Sequence, residues 1–280
     1  MEGLVTMPDR RTVFFVSDRT GITAEMLGNS LLSQFEDIRF DRETLPFVDT
    51  PDKIDEVVRR INARAQGQQK RPLIFSSIVD EAMSAQLARA DALVLDLFGT
   101  YIAPLESEFG AKSSHAAGRS HGIANSHDYF ARIEAVNFAQ AHDDGASTRD
   151  LAKAQVILVG VSRCGKTPTT LYLALQFGIR AANFPLTPDD FVDHKLPRSV
   201  LPHRDRLFGL TIDAERLSQI RGERRPGSTY ASLDNCRYEL READSLMQRE
   251  NIQMLDVTTK SIEEIATTVM HRAHLQRHVY

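Results

Sequence analysis

Apolar residues along the first hundred positions alternate between short β-type runs and longer runs with helical spacing. Residues 12–18 (TVFFVSD) form a β-rich run ending in a polar turn, and residues 23–35 (TAEMLGNSLLSQF) carry apolar side chains at helical spacing. The alternation continues in three strand candidates and two helix candidates: RETLPFVDT, RPLIFSSIV and ADALVLDLF, with PDKIDEVVRRINARA and DEAMSAQLARA. This rhythm predicts a parallel sheet covered by crossover helices.

The alternation stops after Leu105 and resumes in the second half. Residues 106–130 are rich in Gly, Ser, His and Asn without a sustained period, which predicts a loop or domain junction. A helix follows, ending near the sequence HDDG, and then a second series of strands and helices begins with AQVILVGV. Its later strand candidates are IRAANFPL, RLFGLTID and IQMLDV, and Ser261 with Glu264 predicts a capping box on the last helix.

The predicted fold class is therefore α/β, with two αβ halves whose sheets are largely parallel. We assign residues 1–105 to an N-terminal αβ domain, residues 106–150 to a junction loop and helix, and residues 151–280 to a P-loop nucleotide-binding domain. Two halves joined by a polar junction explain why the most informative motif lies past the middle of the chain.

That motif is a complete G-x-x-x-x-G-K-[ST] sequence between a strand candidate and a helix candidate. Its eight residues, which we predict to bind the phosphates of a nucleotide, are Gly160, Val161, Ser162, Arg163, Cys164, Gly165, Lys166 and Thr167. Loop amides and the helix N-terminus attract phosphate, Lys166 reaches the outer phosphate, and the Thr167 hydroxyl can bind Mg²⁺. The alternative is a glycine-containing turn with a chance lysine, and the strand before and helix after it favour phosphate binding.

A P-loop enzyme usually has a downstream carboxylate that holds the metal or its water. Asp213 ends LFGLTID and Asp256 ends IQMLD, and we predict Asp213 as the metal ligand beside Thr167. Asp96, in the first half, is the weaker candidate. Each aspartate has an ordinary alternative as a helix cap or turn residue.

The catalytic candidates are drawn from three segments. Asp143 and Asp144 could accept the proton of a hydroxyl nucleophile, although a solvated helix end explains them equally well. Arg163 could offset charge on the transferred group. In the junction, a loop could bring His121, with Arg119, to a phosphate.

The histidines of the junction do not predict a zinc site. His115, His121 and His127 recur every six residues, a spacing that does not align them on one helix face, and no cysteine accompanies them.

A second anion-binding turn is also conceivable in SDRTGITAE, which separates the first strand from the first helix. The alternative is a plain βα loop in which Thr20 or Thr23 caps the helix.

Composition narrows the function classes. The net charge of −4 and pI near 6.1 give no electrostatic reason to bind nucleic acid or an anionic membrane. No apolar run is long enough to cross a bilayer, the first residues do not read as a secretory signal, and two cysteines cannot form a disulfide framework. We expect a cytoplasmic protein, and a homodimer is one option for its assembly.

Several stretches together resemble the phosphoenolpyruvate synthase regulatory protein family. They lie in order over nearly the whole chain: FFVSDRTGITAE, TLPFV, RSHGI, AHDDG, QVILVGVSRCGKTPTTLYLALQFGIRAANFPL, LFGLTID and TYASLDNCR. The resemblance implies a bifunctional enzyme acting on phosphoenolpyruvate synthase. Its kinase activity uses ADP to phosphorylate a threonine and inactivate the synthase, and its phosphorylase activity uses inorganic phosphate to restore the synthase and release pyrophosphate.

The resemblance further implies that residues 160–167 bind ADP and that transfer requires Mg²⁺. Pyrophosphate is ADP without its nucleoside, so we expect one loop to hold the same two phosphorus positions in both reactions. From the residues alone, two other functions stay open: a small-molecule kinase and a nucleotide-sensing module without catalysis. The chain lacks the motif set of ordinary protein kinases.

Overall fold

The structure is a computed structural model that describes residues 9–66, 70–116, 126–192 and 195–276. Its chain divides into two compact units, Met1–Gly122 and Ile123–Tyr280. Each unit has its own sheet and its own core, so each is described separately.

The first unit alternates strands and helices as its hydrophobic pattern predicts. Its elements are β1 (Asp9–Val16), α1 (Ile22–Leu32), β2 (Ile38–Leu45), α2 (Pro51–Ala65), β3 (Leu73–Ser76), α3 (Glu81–Leu87), β4 (Leu93–Asp96) and α4 (Leu97–Phe109). The four strands are parallel, in the order β2-β1-β3-β4. Strand β1 is central, and both faces of the sheet are covered.

Two apolar layers flank this sheet because successive strand residues point to opposite faces. Phe14 and Val16 pack with residues of α2 such as Ile54, whereas Val13 and Phe15 pack with α1. Each of these four side chains of β1 is at most 1% exposed.

The second unit contains the other elements. They are α5 (Ser126–Ala141), β5 (Val156–Gly160), α6 (Lys166–Phe177), β6 (Ala181–Pro185), α7 (Pro188–Val192), β7 (Leu207–Thr211), α8 (Ala214–Arg224), α9 (Leu233–Arg249), β8 (Gln253–Asp256) and α10 (Ile262–Arg272). Its strands are also parallel, in the order β6-β5-β7-β8. The connectivity therefore matches that of the first unit, with β5 in the place of β1.

These sheets confirm the predicted α/β class with two parallel αβ halves. The capping box is also confirmed, since the Ser261 hydroxyl accepts from the Glu264 amide and the Glu264 carboxylate accepts from the Ser261 amide. Gly178 ends α6 in a left-handed conformation, as expected of a C-cap glycine. No helix in the described ranges combines the length and apolarity needed to span a bilayer.

One element of the first unit corrects the sequence interpretation. The run ADALVLDLF is predicted as a strand and the residues after Leu105 as a loop or junction, but the strand ends at Asp96 and α4 then runs from Leu97 to Phe109. The Asp96 carboxylate caps the helix by accepting from the Gly99 amide at 2.9 Å. Phe98, Ile102, Leu105 and Phe109 do follow helical spacing, but they continue directly from the β-type run of β4 and Pro104 lies among them, which obscures the helix in the sequence.

Candidate functional site

The 160–167 loop joins the C-terminal end of β5 to the start of α6. Gly165 is the N-cap residue of α6 and has a left-handed backbone, with φ 86° and no side-chain cap. The first amides of α6 therefore have no intrahelical acceptor. Such an N-terminus, at the carboxyl end of a central parallel strand, suits an anion.

Gly160 is required where the loop leaves the sheet. A Cβ atom there would lie 2.3 Å from the Leu210 carbonyl oxygen of the neighbouring strand and 3.0 Å from Cys164 Sγ. The Cys164 side chain is buried under the loop, and this burial raises the pKa of its thiol. Cys164 thus fills space as a neutral group and supports the loop from inside.

Lys166 is the buried cation of the loop. Its side chain is folded back so that Nζ donates a 2.9 Å hydrogen bond to the Val161 carbonyl oxygen, and the residue is only 3% exposed. A carbonyl alone does not neutralise an ammonium group, and an incoming phosphate could take over this contact.

The Thr167 hydroxyl is paired with a carboxylate. Its Oγ1 donates to Asp143 Oδ1 at 2.7 Å, and the same oxygen accepts from Asn183 Nδ2 at 2.6 Å. Thr167 is at the start of α6, Asp143 follows α5, and Asn183 is on β6, so three elements meet here. A hydroxyl beside a carboxylate is a pair of oxygen ligands that Mg²⁺ prefers.

The turn that carries Asp143 is held by hydrogen bonds and by an aromatic ring. The Asp144 amide donates to Asn183 Oδ1 at 2.9 Å, and the ring of Phe184 covers Gly145, where a Cβ would lie 2.9 Å from the ring. His142 is buried, and its two ring nitrogens lie 2.7 and 2.6 Å from the carbonyl oxygens of Phe138 and Arg149. Asp144 itself is exposed with φ 48°, a conformation that non-glycine residues seldom adopt.

A buried ion pair supports the loop from the other side. Arg221 is fully buried, and its guanidinium donates to the Ser162 carbonyl oxygen at 3.1 Å and to Glu239 Oε2 at 2.7 Å. The guanidinium stacks 4.1 Å from the ring centroid of Tyr230, whose hydroxyl donates to Ser162 Oγ at 3.0 Å. Arg221 therefore positions the loop and is not available to a ligand.

A cavity of about 260 Å³ opens over the loop. Its walls come from the loop, the start of α6, the Asp143–Gly145 turn and α8: Asp144, Ser162, Arg163, Gly165, Lys166, Thr167, Pro168 and Ile220. Arg163, exposed and with φ 76°, is the cation at its mouth. The structure thus brings together Arg163, Asp143, Asp144 and the loop residues that the sequence singled out.

Asp213 is not brought to this cavity. Its carboxylate caps α8 by accepting from the Glu215 and Arg216 amides, each at 2.9 Å, and the residue lines a different cavity with Asp256. Asp96 caps α4 in the other unit, and His121 and Arg119 lie outside the described residues. The role of Asp213 as metal ligand stays a prediction, and its side chain has the helix-cap role weighed as the alternative.

Sequence reasoning missed Asn183, Arg221, Tyr230 and Glu239. The sequence did offer a signal for Asn183, because it is an amide within an otherwise apolar strand candidate and a buried amide needs hydrogen-bond partners. In the structure it is 1% exposed. Arg221 and Glu239 had no such signal, since both occur in charged helices where most such residues are solvated.

Comparison with known proteins identifies the family of this chain. A family model described as kinase/pyrophosphorylase matches residues 13–270, which is most of the chain. Three relatives carry the provisional name phosphoenolpyruvate synthase regulatory protein. The protein from Aromatoleum aromaticum is 58% identical and that from Azoarcus sp. strain BH72 57% identical, each over 96% of this chain and 98% of the relative. The protein from Bordetella parapertussis is 53% identical over 98% of this chain and 100% of the relative. This chain belongs to the kinase/pyrophosphorylase family.

Proposed function

We propose that this protein is a bifunctional phosphotransferase that regulates phosphoenolpyruvate synthase. In one direction it transfers the β-phosphoryl group of ADP to a threonine of the synthase, releases AMP and inactivates the target. In the other direction, inorganic phosphate takes the phosphoryl group from that threonine, which releases pyrophosphate and restores the target. The relatives' name supports the choice of target, and family membership supports phosphoryl transfer.

The observation that carries the proposal is the pairing of Thr167 with Asp143 beside the buried Lys166. The loop amides, the α6 N-terminus and Lys166 would hold the two phosphorus positions that ADP and pyrophosphate share. Arg163, at the cavity mouth, would stabilise negative charge on the moving phosphoryl group.

Thr167 and Asp143 would hold Mg²⁺. Two oxygen ligands of this kind suit a cation that keeps several waters and binds substrate phosphates. When bound, Mg²⁺ would neutralise charge that develops on the phosphate oxygens. In the described part of the chain no three His, Cys, Asp or Glu side chains converge as a metal site.

Asp144 is the residue we assign to proton transfer. Asp143 Oδ1 already accepts two hydrogen bonds, whereas Asp144 lines the cavity and its carboxylate has no hydrogen bond to another described residue. In the kinase direction it accepts the threonine hydroxyl proton as oxygen attacks the β-phosphorus and the bond to AMP breaks. In the phosphorylase direction an oxygen of hydrogen phosphate attacks the phosphothreonine phosphorus as the bond to the threonine oxygen breaks, and Asp144 passes the proton of the attacking phosphate to that oxygen.

The decisive experiment follows the label from ADP. Purified phosphoenolpyruvate synthase is incubated with the protein, Mg²⁺ and ADP labelled at the β-phosphorus, and we expect label on a synthase threonine with an equal amount of AMP. ADP labelled at the α-phosphorus is the matched control and should leave the synthase unlabelled. Adding unlabelled inorganic phosphate to the washed product should move the label into pyrophosphate.

The other candidate functions predict different outcomes. A small-molecule kinase would turn over ATP without the synthase, and a sensing module would bind ADP without moving label. Either result, with the synthase intact and the protein folded, would refute the proposal.

A further inference from the structure

The turn over residues 17–23 holds the same place in the first unit that the 160–167 loop holds in the second. It follows β1, the central strand of an order β2-β1-β3-β4, just as the loop follows β5 in β6-β5-β7-β8. In both sheets the chain first crosses to one side of the central strand and later to the other. Open αβ sheets bind ligands at this switch point, outside the carboxyl ends of the strands.

The two turns also share sequence and backbone conformation. Arg19, Gly21 and Thr23 repeat the spacing of Arg163, Gly165 and Thr167, with Ile22 in the place of Lys166. Gly21 has φ 83° and ψ −4°, Gly165 has φ 86° and ψ 10°, and each is an N-cap without a side-chain hydrogen bond. Neither Thr20 nor Thr23 caps α1, so the expectation of an ordinary threonine-capped turn is wrong. The first amides of this 11-residue helix are left for another acceptor.

Ser77 is the independent observation that points to a ligand. It follows β3, is 4% exposed, and lines a cavity with residues of the 17–23 turn. Its amide donates to the Val16 carbonyl oxygen at 2.9 Å, but its hydroxyl has no hydrogen-bond partner among the described residues. A hydroxyl on a residue this little exposed has few water contacts, and a polar group in the cavity would supply the missing hydrogen bond.

We infer that the 17–23 turn and Ser77 form a second oxyanion site, which takes a single phosphate group. The cavity measures about 40 Å³ against about 260 Å³ over the 160–167 loop, so it has room for one such group and not for a nucleotide. The α1 amides and the Ser77 hydroxyl donate to the oxyanion, and the exposed Arg19 supplies positive charge at the mouth. A single group needs no lysine reaching to an outer phosphate, which accounts for Ile22.

Asp18 is the one acidic side chain on this cavity, and its charge opposes an anion. Burial raises the pKa of its carboxyl, and nearby Asp49 acts in the same direction, while the Val79 amide and Arg19 oppose the shift. A carboxyl that takes up a proton on phosphate binding would donate to a phosphate oxygen. Replacing Asp18 by asparagine keeps a donor and removes the charge, so it should tighten binding.

The test uses the full chain, uniformly labelled with ¹⁵N, in a Lys166→Ala background that weakens the 160–167 loop. Inorganic phosphate and O-phospho-L-threonine are titrated separately while the amide signals of Gly21, Ile22 and Thr23 are followed. We expect at least one of them to shift these signals saturably, and the tighter of the two identifies whether the site takes the free ion or a phosphorylated threonine. No saturable shift at these amides with either compound would overturn the inference.

Variants distinguish a specific binding site from non-specific attraction of an anion to the helix N-terminus. Ser77→Ala should weaken binding by roughly tenfold or more, because a donor to a charged oxygen is lost. Arg19→Ala changes an exposed residue and should weaken binding without affecting folding. Ser30→Ala, an exposed position on the same helix, is the matched control and should bind as the parent does.

Asp18→Asn should increase the affinity for the phosphate compound that binds at this site. Equal affinity of Ser77→Ala, Arg19→Ala and the parent would refute the site. Because the readout is binding at α1 in a variant that lacks Lys166, its failure leaves the label-transfer test of the proposed function unaffected.

Discussion

Thr167 and Asp143 lie 24 positions apart in the sequence, yet the threonine hydroxyl donates a 2.7 Å hydrogen bond to the carboxylate. This contact joins the start of α6 to the turn after α5, and Asn183 of β6 completes it. The N-terminus of α6, which we propose binds phosphate, therefore has a carboxylate fixed beside it, where the proposed metal ion would bind.

Lys166→Ala should abolish most of both activities. The buried ammonium is the loop cation proposed to hold the diphosphate, so we expect the rates of synthase phosphorylation and of pyrophosphate release each to fall by about 10²-fold or more. Lys153→Ala, which removes an exposed lysine of the same unit, is the control. Loss of one activity with the other unchanged would contradict a shared site.

Asp143→Asn should weaken the response to Mg²⁺. We expect lower activity in both directions, and partial recovery at high Mg²⁺, because one of the two proposed oxygen ligands has lost its charge. The measurement is activity against Mg²⁺ concentration at saturating ADP. An unchanged half-saturating Mg²⁺ concentration would exclude Asp143 as a metal ligand.

Asp144→Asn should instead reduce the turnover number. Removing a general base typically costs about 10²- to 10⁴-fold, and raising the Mg²⁺ concentration should not restore the rate. The measurement is the initial rate of synthase phosphorylation at saturating ADP and Mg²⁺. If the variant keeps the parent's rate, another group accepts the proton.

Arg221→Met should destabilise the second unit. Breaking a buried pair leaves Glu239 as an uncompensated charge, which typically costs about 3–5 kcal/mol. The double variant Arg221→Met with Glu239→Leu should recover part of this loss, as measured by urea unfolding. A double variant as unstable as the sum of the two single variants would show that the pair is not coupled.

The two glycines of the loop should respond differently to alanine. At Gly160 a Cβ would lie 2.3 Å from a backbone oxygen, so Gly160→Ala should cost of order 3 kcal/mol or more in the free energy of unfolding. At Gly165 a Cβ would make ordinary contacts with Ile262 and Ile265, at 3.9 and 4.0 Å, so the left-handed backbone is the main obstacle and costs about 1–2 kcal/mol. The free energy of unfolding of the two variants is measured by thermal and urea unfolding. Equal losses of stability would contradict the different surroundings of the two glycines.

Glu106→Gln should make the first unit less stable at neutral pH. The Ser113 amide and the Lys112 ammonium lower the pKa of the Glu106 carboxyl from 4.5 to about 2. A lowered pKa contributes stability that is present above pH 4.5 and is lost as the pH falls toward 2. The difference from the parent in urea unfolding should therefore shrink between pH 7 and pH 3.

Glu108→Gln, on the exposed side of the same helix, is the control for that comparison. A Glu106→Gln deficit that stays constant with pH would mean that the carboxylate acts through packing and not through its charge.

By itself the sequence determined the α/β class, the two halves and the 160–167 loop. These features depend on local patterns, namely strand runs, helical spacing and glycines next to a lysine, which neighbouring residues are enough to specify. It did not reveal α4, because the apolar spacing of that helix continues directly from the run of β4 and is interrupted by Pro104.

Only the tertiary structure shows which of the candidate carboxylates lies beside Thr167. Asp143 and Asp213 each follow a regular element and look alike in sequence, but the turn after α5 faces Thr167 while Asp213 caps its own helix. Only the structure likewise shows that Arg221 lies under the 160–167 loop and that Ser77 lies beside the 17–23 turn. Contacts between residues far apart in the chain depend on how strands are ordered and helices packed, and that order is not written in any single segment.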